Sequence, residues 1–418
     1  MKFVHAADLH IDSPLRGLEH YEGAPVERVR LATRSALENL VKVCIEEEAS
    51  FLVVAGDLFD YDWRDFNTAL FVVKQIQLLK RHDIAVYVIR GNHDSRDEMS
   101  YRVPWPDNLK LLDHRNPETV LIEDLGVAVH GMSFPKRELH ENLVPRYPKP
   151  FKDLLNIGLL HTNATGTLDH DSYAPCSVNE LVAKGYDYWA LGHVHQYDVL
   201  HDDGPRVVYA GNTQGRHIRE QGEKGCVVVT VEHQEITSLR FRSTDVLRWR
   251  RETIALQPED GIDELHDLAE VRLKAIAGEV DGRLTAVRLE VQGRCRAHQR
   301  LVDETRRQET VARLRSLPGE FTDDLWVEKI KLDTRPPLDR DQLRQGQDLL
   351  GDLLRAFDAT AADDAALDAL GAHVQKLATK VRTDLADDEI DFSSRRQLAA
   401  WLRTAEDDLL SRLTEQGV

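Results

Sequence analysis

Short apolar runs, each ending in a polar cluster, recur through the first part of the chain. They predict buried β-strands at residues 2–6, 51–55, 85–89, 156–160 and 188–191. Stretches with helical periodicity, at residues 26–48 and 66–81, separate the first three runs. Short buried strands that alternate with helices are typical of an α/β sheet. Open α/β sheets place their binding sites at the carboxyl ends of the strands.

A second group of strands follows with shorter connections. Alternating segments at residues 120–122, 127–130, 206–210, 226–231 and 236–242 predict a second, more antiparallel sheet. We therefore assign residues 1–247 to one domain that contains both sheets.

The pattern changes after residue 247. Residues 248–335 are predicted to form a strand, a helix, a strand, a helix and a strand, a small α/β module that Pro336 and Pro337 close. Residues 336–418 carry apolar residues on helical faces, and Ser394 with Gln397 predicts a capping box that opens a last helix. These helices either pack on the body of the protein or dock on a partner helix.

Composition changes this picture mainly through charge. The chain has 54 basic and 72 acidic residues, a net charge of −18, and residues 336–418 contribute −7 with 17 acidic and 10 basic residues. This balance argues against a protein that coats DNA nonspecifically but permits a basic track at one site. The chain has no CxxC pair, no signal-peptide core and no apolar run of membrane-spanning length. We expect a cytoplasmic protein with reduced cysteines and no membrane partner.

Side chains that commonly bind metal ions lie at the end of each of the first five predicted strands. They are two carboxylates, one amide and four imidazoles: Asp8, His10, Asp57, Asn92, His161, His193 and His195. Nitrogen and oxygen donors without a thiolate suit Mn, Fe or Zn better than Mg or Ca. Seven ligands are too many for one ion with an open position but enough for two ions that share a carboxylate. Asp57, in the tight Gly56-Asp57 turn, is the best candidate for the shared ligand.

Any one of these residues alone is weak evidence, because polar residues at strand ends are usually structural or solvated. His130 also ends a predicted strand, and we expect it to pack rather than to bind a metal. The specific signal is the order of the motifs DxH, GD, GNHD, His and GHxH on successive strands.

The set Asp8-x-His10, Gly56-Asp57, Gly91-Asn92-His93-Asp94, His161 and Gly192-His193-x-His195 resembles the calcineurin-like metallophosphoesterase superfamily. The resemblance covers about the first 245 residues. It implies an α/β (α+β) fold with a four-layer sandwich of two β-sheets flanked by helices. To this we add the small α/β capping domain and the C-terminal helices.

The resemblance also implies roles for single residues. One ion would take Asp8, His10, Asp57 and His195, and the other would take Asp57, Asn92, His161 and His193. His93 would be the catalytic general acid. Asp94 is a candidate for the residue that orients His93, with a plain supporting or surface role as the alternative.

Features outside these motifs favour a DNA nuclease over a phosphatase. The order of domains resembles SbcD-type DNA repair exonucleases, and residues 56–63, 170–177, 185–193 and 211–217 resemble the YhaO-like branch. Basic residues near the predicted site are candidates for contacts with DNA phosphates: Arg90, Arg96, Arg216, His217, Arg219 and Lys224.

The sequence and the resemblance together predict a DNA phosphodiesterase that uses two divalent ions, expected to be Mn²⁺. We expect a 3′-to-5′ exonuclease of DNA repair, with endonuclease activity as a further option. The resemblance implies a homodimer, with the C-terminal helices docked on a coiled-coil ATPase of the SbcC type. The alternatives are a phosphomonoesterase or nucleotide phosphatase of the same superfamily, and an inactive scaffold subunit, which the complete ligand set disfavours.

Overall fold

The computed structural model describes residues 1–13, 25–60, 66–95, 103–164, 173–337, 340–378 and 394–415. The candidate Arg96 and parts of the segments 56–63 and 170–177 lie outside these ranges. The chain divides into two compact units. The first comprises Met1–Arg251, Ala277–Arg288 and Thr322–Glu328, and the second comprises Glu252–Ile276, Leu289–Phe321 and Lys329–Val418. The predicted boundaries at 247/248 and 335/336 stay predictions.

Both units contain strands and helices. The strands are β1 (Lys2–Ala6), β2 (Phe51–Ala55), β3 (Ala85–Ile89), β4 (Leu109–Leu111), β5 (Glu118–Ile122), β6 (Val127–Gly131), β7 (Leu155–His161), β8 (Tyr188–Gly192), β9 (Asp198–His201), β10 (Arg206–Tyr209), β11 (Gly225–Glu232), β12 (Glu235–Ser243), β13 (Leu247–Ala255), β14 (Leu284–Arg294) and β15 (Leu325–Arg335). The helices are α1 (Val26–Arg30), α2 (Ala32–Glu46), α3 (Phe66–Lys80), α4 (Val178–Ala183), α5 (Ile262–Ala277), α6 (His298–Val302), α7 (Glu304–Ser316), α8 (Arg340–Gln345), α9 (Leu349–Ala362), α10 (Asp364–Ala378) and α11 (Arg395–Glu415).

Two six-stranded sheets form the centre of the first unit, in the orders β12-β11-β1-β2-β3-β4 and β5-β6-β7-β8-β10-β9. Strands β1 to β4 run parallel in the first sheet, and β6, β7, β8 and β10 run parallel in the second. The inner faces of the sheets pack against each other. The ring of Phe3 stacks on Phe51 at 5.1 Å and meets the edge of Tyr188 at 5.3 Å.

Outer layers cover both sheets. Helices α2 and α3 bury Leu37, Leu40 and Val72 against the first sheet. Helix α4 and an irregular segment that contains Tyr147 cover the second sheet, in a cluster with Trp189. This arrangement confirms the predicted sandwich. The predicted division of the strands between the sheets is wrong: β11 and β12 join the first sheet, and β7 and β8 lie in the second. The second sheet is also mostly parallel rather than antiparallel, because β6, β7, β8 and β10 run parallel. Much of the described outer layer on the second sheet is irregular rather than helical.

The apolar pattern predicts the strands of five or more residues and misses the shortest elements. The predicted strands at 2–6, 51–55 and 85–89 coincide with β1, β2 and β3. The predicted helix at 26–48 is two helices, α1 and α2, which meet at Leu31 with φ −89° and ψ −1°. The pattern does not predict β4 or β9, because three or four residues are too few to show an alternation, and it does not predict α4, because six residues make less than two helical turns.

The capping module contains the predicted order of strands and helices, as β13, α5, β14, α6, α7 and β15. Its three strands form one sheet in the order β13-β14-β15.

The C-terminal helices pack on one another within the second unit. Leu350 and Leu354 of α9 are buried with Leu410 of α11. At the start of α11 the hydroxyl of Ser394 accepts a hydrogen bond from the Gln397 N–H at 3.4 Å, which is one half of the predicted capping box. None of the described helices is long and apolar enough to cross a membrane. The four cysteines are free thiols.

Candidate metal centre

The loops that follow five strands of the two sheets bring the predicted ligands together. Asp8 and His10 follow β1, Asp57 follows β2, Asn92 follows β3, His161 ends β7, and His193 and His195 follow β8. The predicted ligands are buried, except that His195 is partly exposed. Parallel strands explain this convergence, because their carboxyl ends meet at one edge of a sheet.

The first group of donor atoms belongs to Asp8, His10, Asp57 and His195. His10 Nε2 lies 3.3 Å from His195 Nε2 and 3.8 Å from Asp57 Oδ2. His195 Nε2 lies 4.0 Å from Asp8 Oδ1. Ligand atoms that share one ion at about 2.0–2.2 Å are themselves about 3–4 Å apart. The group therefore has the spacing that one cation requires.

The second group contains Asp57, Asn92 and His161. His161 Nδ1 donates a hydrogen bond to the carbonyl of Ala55 at 3.0 Å, which leaves Nε2 as an acceptor. That nitrogen lies 2.9 Å from Asn92 Oδ1 and 3.5 Å from Asp57 Oδ2. Three acceptors that face one another need a positive charge between them, so these residues fit a second cation. The Oδ2 atom of Asp57 faces both groups, as a shared ligand must.

His193 lies beside the second group. Its ring is 5.3 Å from the ring of His161 and 5.5 Å from that of Tyr173. Its backbone N–H donates to both carboxylate oxygens of Asp8, at 3.1 Å and 3.0 Å. The backbone of His193 therefore holds Asp8 in place, and its imidazole lies beside the second group.

Backbone strain is concentrated at these ligands. Asp8, His10, Asp57 and His193 have positive φ values of 51°, 44°, 53° and 98°. This left-handed region costs an ordinary residue about 1–3 kcal/mol, and such strain clusters at functional sites. Backbone hydrogen bonds from Asp8 to Gly56 and from His10 to Asp57, both 3.0 Å, hold the two loops in this conformation. The ligands are thus fixed before any ion binds.

Burial disfavours the charged forms of the side chains in the metal-free centre. It raises the pKa of Asp8 well above its usual value, with a further contribution from the charge of Asp57, and burial also raises the pKa of Asp57. Burial lowers the pKa of His10 well below its usual value and that of His161 to about 3. The imidazoles are therefore neutral donors near pH 7, and divalent cations would supply the charge that the carboxylates need.

His93 lies at the edge of the centre, with 22% of its side chain exposed. Its ring is 4.7 Å from that of His10, and its Nδ1 is 2.6 Å from Asp60 Oδ1. The other oxygen of Asp60 accepts a hydrogen bond from the hydroxyl of Ser13 at 2.6 Å. Asp60, which the sequence analysis missed, therefore orients His93. Its position three residues after Asp57 in the same loop is the signal that could have identified it.

Asp94 does not orient His93. Its two oxygens accept backbone hydrogen bonds from Leu58 at 2.9 Å and Gly91 at 2.8 Å. The side chain is buried, and it joins the loop after β2 to the loop after β3. Asp94 therefore supports the predicted ligands Asp57 and Asn92 by holding the backbone of their loops. The side chain that contacts His93 is Asp60, not Asp94.

Glu220 is a second residue that the sequence analysis missed. It accepts hydrogen bonds from His195 Nδ1 at 2.7 Å, Asn212 Nδ2 at 2.9 Å and the Arg216 N–H at 2.7 Å. Burial alone would raise its pKa, but the hydrogen bond from His195 and the nearby charges lower the pKa well below its usual value. Glu220 is therefore ionised, and it fixes both the ring of His195 and the loop after β10.

Arg216 points into this network. Its Nη2 lies 3.0 Å from Glu220 Oε1 and 3.2 Å from His195 Nδ1, and its Nη1 lies 3.7 Å from Asp60 Oδ2. Only 14% of the side chain is exposed. Two carboxylates thus offset the charge of Arg216, which was predicted to contact a phosphate.

Two other predicted phosphate contacts are corrected. Lys224 is buried, and its Nζ donates to the backbone carbonyl of His195 at 2.7 Å. Arg90 is also buried, in an interior pocket that it lines with Asp94 and Trp105. Lys224 therefore supports the loop that carries His195, and neither side chain has the surface exposure that a contact with DNA requires. Their charge suggested a surface role, but the sequence did not show that their loops turn inward.

His217 and Arg219 are exposed on the loop after β10. They remain candidates for contacts with a phosphate. Arg96, the other candidate beside the GNHD turn, lies outside the described residues.

Comparison with known proteins agrees with this geometry. A family model described as calcineurin-like phosphoesterase matches residues 1–197, and one described as the middle domain of metallophosphoesterase YhaO matches residues 249–335. The Bacillus subtilis protein named uncharacterized metallophosphoesterase YhaO is 35% identical over 296 residues, which cover 70% of this chain and 72% of that protein. The chain belongs to the calcineurin-like metallophosphoesterases.

This metallophosphoesterase has more distant relatives. It is 27% identical over 222 residues to the DNA double-strand break repair protein Mre11 of Saccharolobus solfataricus, covering 51% of this chain and 54% of that protein. It therefore matches about half the length of that relative. The crystal structure of a dimetal phosphatase from Danio rerio aligns with a TM-score of 0.34 and 11% identity, over 56% of this chain and 93% of that one.

The family and the ligand cluster together make this chain a metal-dependent hydrolase of phosphoesters. Two divalent cations, when bound, lower the pKa of water and offset charge on the phosphoryl oxygens. The chain itself provides the fixed ligands, Asp60 to orient His93, and Glu220 to orient His195.

Proposed function

We propose that this metallophosphoesterase is a DNA phosphodiesterase, a 3′-to-5′ exonuclease that uses two Mn²⁺ ions, with endonuclease activity as a further option. We choose a diester over a monoester because Arg216 already forms ion pairs with Glu220 and Asp60, which balance its positive charge. A phosphomonoester brings two negative charges and a phosphodiester brings one. Lys224 and Arg90 are buried, so in the described centre the second charge of a monoester would meet only the exposed loop residues His217 and Arg219, which favours the diester.

Two further arguments support a nuclease that uses Mn²⁺. The relative Mre11 is named a DNA double-strand break repair protein, and this chain matches half of it. The imidazole-rich donor set suits Mn²⁺ better than Mg²⁺.

The leaving group of a DNA phosphodiester is a sugar oxygen, which departs more readily when it gains a proton. With Asp60 held against Nδ1, the ring of His93 is oriented to give that proton from Nε2.

The test compares diester with monoester substrates. Purified protein with Mn²⁺ is assayed on bis-p-nitrophenyl phosphate, on p-nitrophenyl phosphate, and on duplex DNA labelled at the 3′ or the 5′ end. We expect turnover of the diester and early release of the 3′ label as a mononucleotide. The Asp57→Asn variant, which lacks the shared ligand, is the control for a contaminating nuclease. Turnover of the monoester alone would reject the proposal in favour of a phosphatase.

We further propose that the protein acts in the cytoplasm with a coiled-coil ATPase of the SbcC type that docks on the C-terminal helices. Helices α9 and α11 bury one face together but expose Leu349 and Leu409. A pull-down with such an ATPase should succeed with the full chain and fail with Leu349→Glu/Leu409→Glu. Equal capture of both proteins would place the docking surface elsewhere.

Homodimer formation is also proposed. Helices α1 and α3, with the residue that follows α1, expose four large apolar side chains, Val26, Leu31, Phe66 and Leu70. Exposed apolar groups of this kind are typical of interfaces. Sedimentation of the full chain should show a dimer, and Leu70→Glu should shift it toward the monomer. A monomeric wild-type protein would contradict the proposal.

A further inference from the structure

The connection between β6 and β7 is unusual for two parallel neighbours. Val127 pairs with Leu155 and Gly131 with Leu159, so the chain must return across the sheet from the carboxyl end of β6 to the amino end of β7. A helix usually makes such a crossover. In this protein residues 132–154 contain one short 3₁₀ turn, Val144–Arg146, and are otherwise irregular. Long irregular connections in compact domains usually carry function.

This connection starts at the metal centre and is firmly held. The ring of Phe134 lies 5.5 Å from that of the ligand His161. Leu139, Leu143 and Tyr147 are buried against the outer face of the second sheet. The hydroxyl of Tyr147 donates to the carbonyl of Leu159 at 2.6 Å. The backbone therefore follows a defined path from the centre along the sheet, with its polar side chains turned outward.

The part from residue 135 to residue 152, which we call the basic segment, has a charge opposite to that of the chain. It contains five basic residues and two acidic ones, a net charge of +3, whereas the whole chain has −18. The five basic residues are all exposed: Lys136, Arg137, Arg146, Lys149 and Lys152. Within the described ranges, Lys136, Lys149 and Lys152 form no ion pair with a carboxylate, so their charges are available to a ligand.

We propose that the basic segment binds the phosphate backbone of the DNA whose end lies in the metal centre. The inference rests on the proposed nuclease function. A seven-residue strand such as β7 is about 23 Å long. At 3.4 Å per base pair, that length corresponds to roughly six or seven base pairs of duplex. The segment thus gives an acidic protein a local track on which duplex DNA is held beyond the scissile bond.

The experiment measures binding without cleavage. Fluorescence anisotropy of a labelled duplex is followed in EDTA, at salt concentrations from about 50 to 200 mM. The segment variant is Lys136→Gln/Lys149→Gln/Lys152→Gln. The matched control is Lys42→Gln/Lys80→Gln/Lys110→Gln, which changes the net charge equally but removes lysines that pair with Glu46, Asp107 and Glu118.

Each lost phosphate contact lowers the slope of log K against log salt by about 0.9, so the segment variant should lose about 2–3 units of slope. Over a fourfold range of salt such a loss of slope changes the relative affinity by about 16–64-fold, so we expect the affinity at 50 mM salt to fall on the order of a hundredfold. The control should bind as the wild type does. Unchanged Mn²⁺ content and unfolding temperature would show that the segment variant is folded.

The outcomes separate the two proposals. If both variants bind DNA like the wild type while the wild type degrades DNA, the basic segment is not the track and the nuclease function stands. If the wild type hydrolyses only monoesters, the nuclease proposal fails first. Stronger binding of the wild type to anionic lipid vesicles than to DNA would also overturn the inference, because it would assign the same charges to a membrane surface.

Discussion

The imidazole of His93 lies between the ligand cluster and the solvent, with Asp60 on one side and His10 on the other. A carboxylate on Nδ1 fixes the tautomer and the orientation of a histidine ring. The ring is then ready for proton transfer at Nε2, while the metal ligands keep their own positions.

His93→Ala should therefore separate chemistry from metal binding. We expect turnover to fall by about 10²–10⁴-fold, which is the usual contribution of a general acid. Asp60→Asn should lower turnover by a smaller factor, about 10–100-fold, because it leaves the ring of His93 in place but weakens the hydrogen bond that orients it. Metal analysis should give wild-type Mn²⁺ content for both variants. His82→Ala, an exposed histidine on the surface, is the matched control. Full activity of His93→Ala would remove this residue from the mechanism.

The buried ligands also predict how Mn²⁺ binding depends on pH. The pKa values of Asp8 and Asp57 are raised by burial, so the metal-free carboxyls keep protons above the usual Asp range. His10 and His161 are already neutral, because burial lowers their pKa values. Metal must therefore displace protons from the carboxyls, and its affinity should fall as the pH falls through their raised pKa values.

Calorimetry of Mn²⁺ binding in two buffers with different ionisation enthalpies measures this proton release. The number of protons released should grow as the solution is made mildly acidic. Constant affinity and no proton release from mildly alkaline to mildly acidic pH would contradict the assignment.

At the scale of elements, the buried acid Asp407 anchors helix α11. Asp407 Oδ2 accepts a hydrogen bond from Arg335 at 3.0 Å, and its Oδ1 lies 3.5 Å from Arg294. These arginines come from the ends of β15 and β14 in the second unit. The contact joins the C-terminal helices to the capping sheet. The structure thus shows the packing that the sequence analysis gave as one alternative, and docking on a partner stays a proposal.

Asp407→Ala should loosen that helix. Removing the acid takes away the carboxylate that the two arginines share, and we expect a loss of about 1–3 kcal/mol in the free energy of unfolding. Hydrogen exchange should increase in α11 more than in β14. Asp364→Ala removes an exposed acid that pairs with Arg395 and should change little. Equal exchange in both variants would show that Asp407 does not anchor the helix.

At the scale of the whole molecule, metal binding and stability are coupled in the first unit. Strained loops and facing acceptors make the metal-free centre unfavourable, and ligands that bind only the folded state stabilise it. At a concentration about 100 times the dissociation constant, a single-site ligand adds about 2.7 kcal/mol.

Mn²⁺ should therefore raise the unfolding temperature, and Mg²⁺ should raise it less, because four of the donors are imidazoles. Asp57→Asn should remove the effect. Hydrogen exchange should show added protection in the loops after β1, β2 and β3 and no change in α9 to α11. An equal response to the two metals would argue against the imidazoles as ligands.

The sequence by itself predicted the ligand types and the strands that carry them, and the family resemblance added His93 as the predicted general acid. Each of these signals is local, because Asp8, Asp57, Asn92 and His193 lie within three residues of the strands that position them. The tertiary structure alone decided that Asp60 supports His93 and that Glu220 supports His195, across 33 and 25 residues of chain. It also decided that Lys224 and Arg90 face inward and that the basic segment starts at the metal centre. These facts depend on which strands become neighbours and on how far each loop is buried, and neither property is encoded in a local pattern of residues.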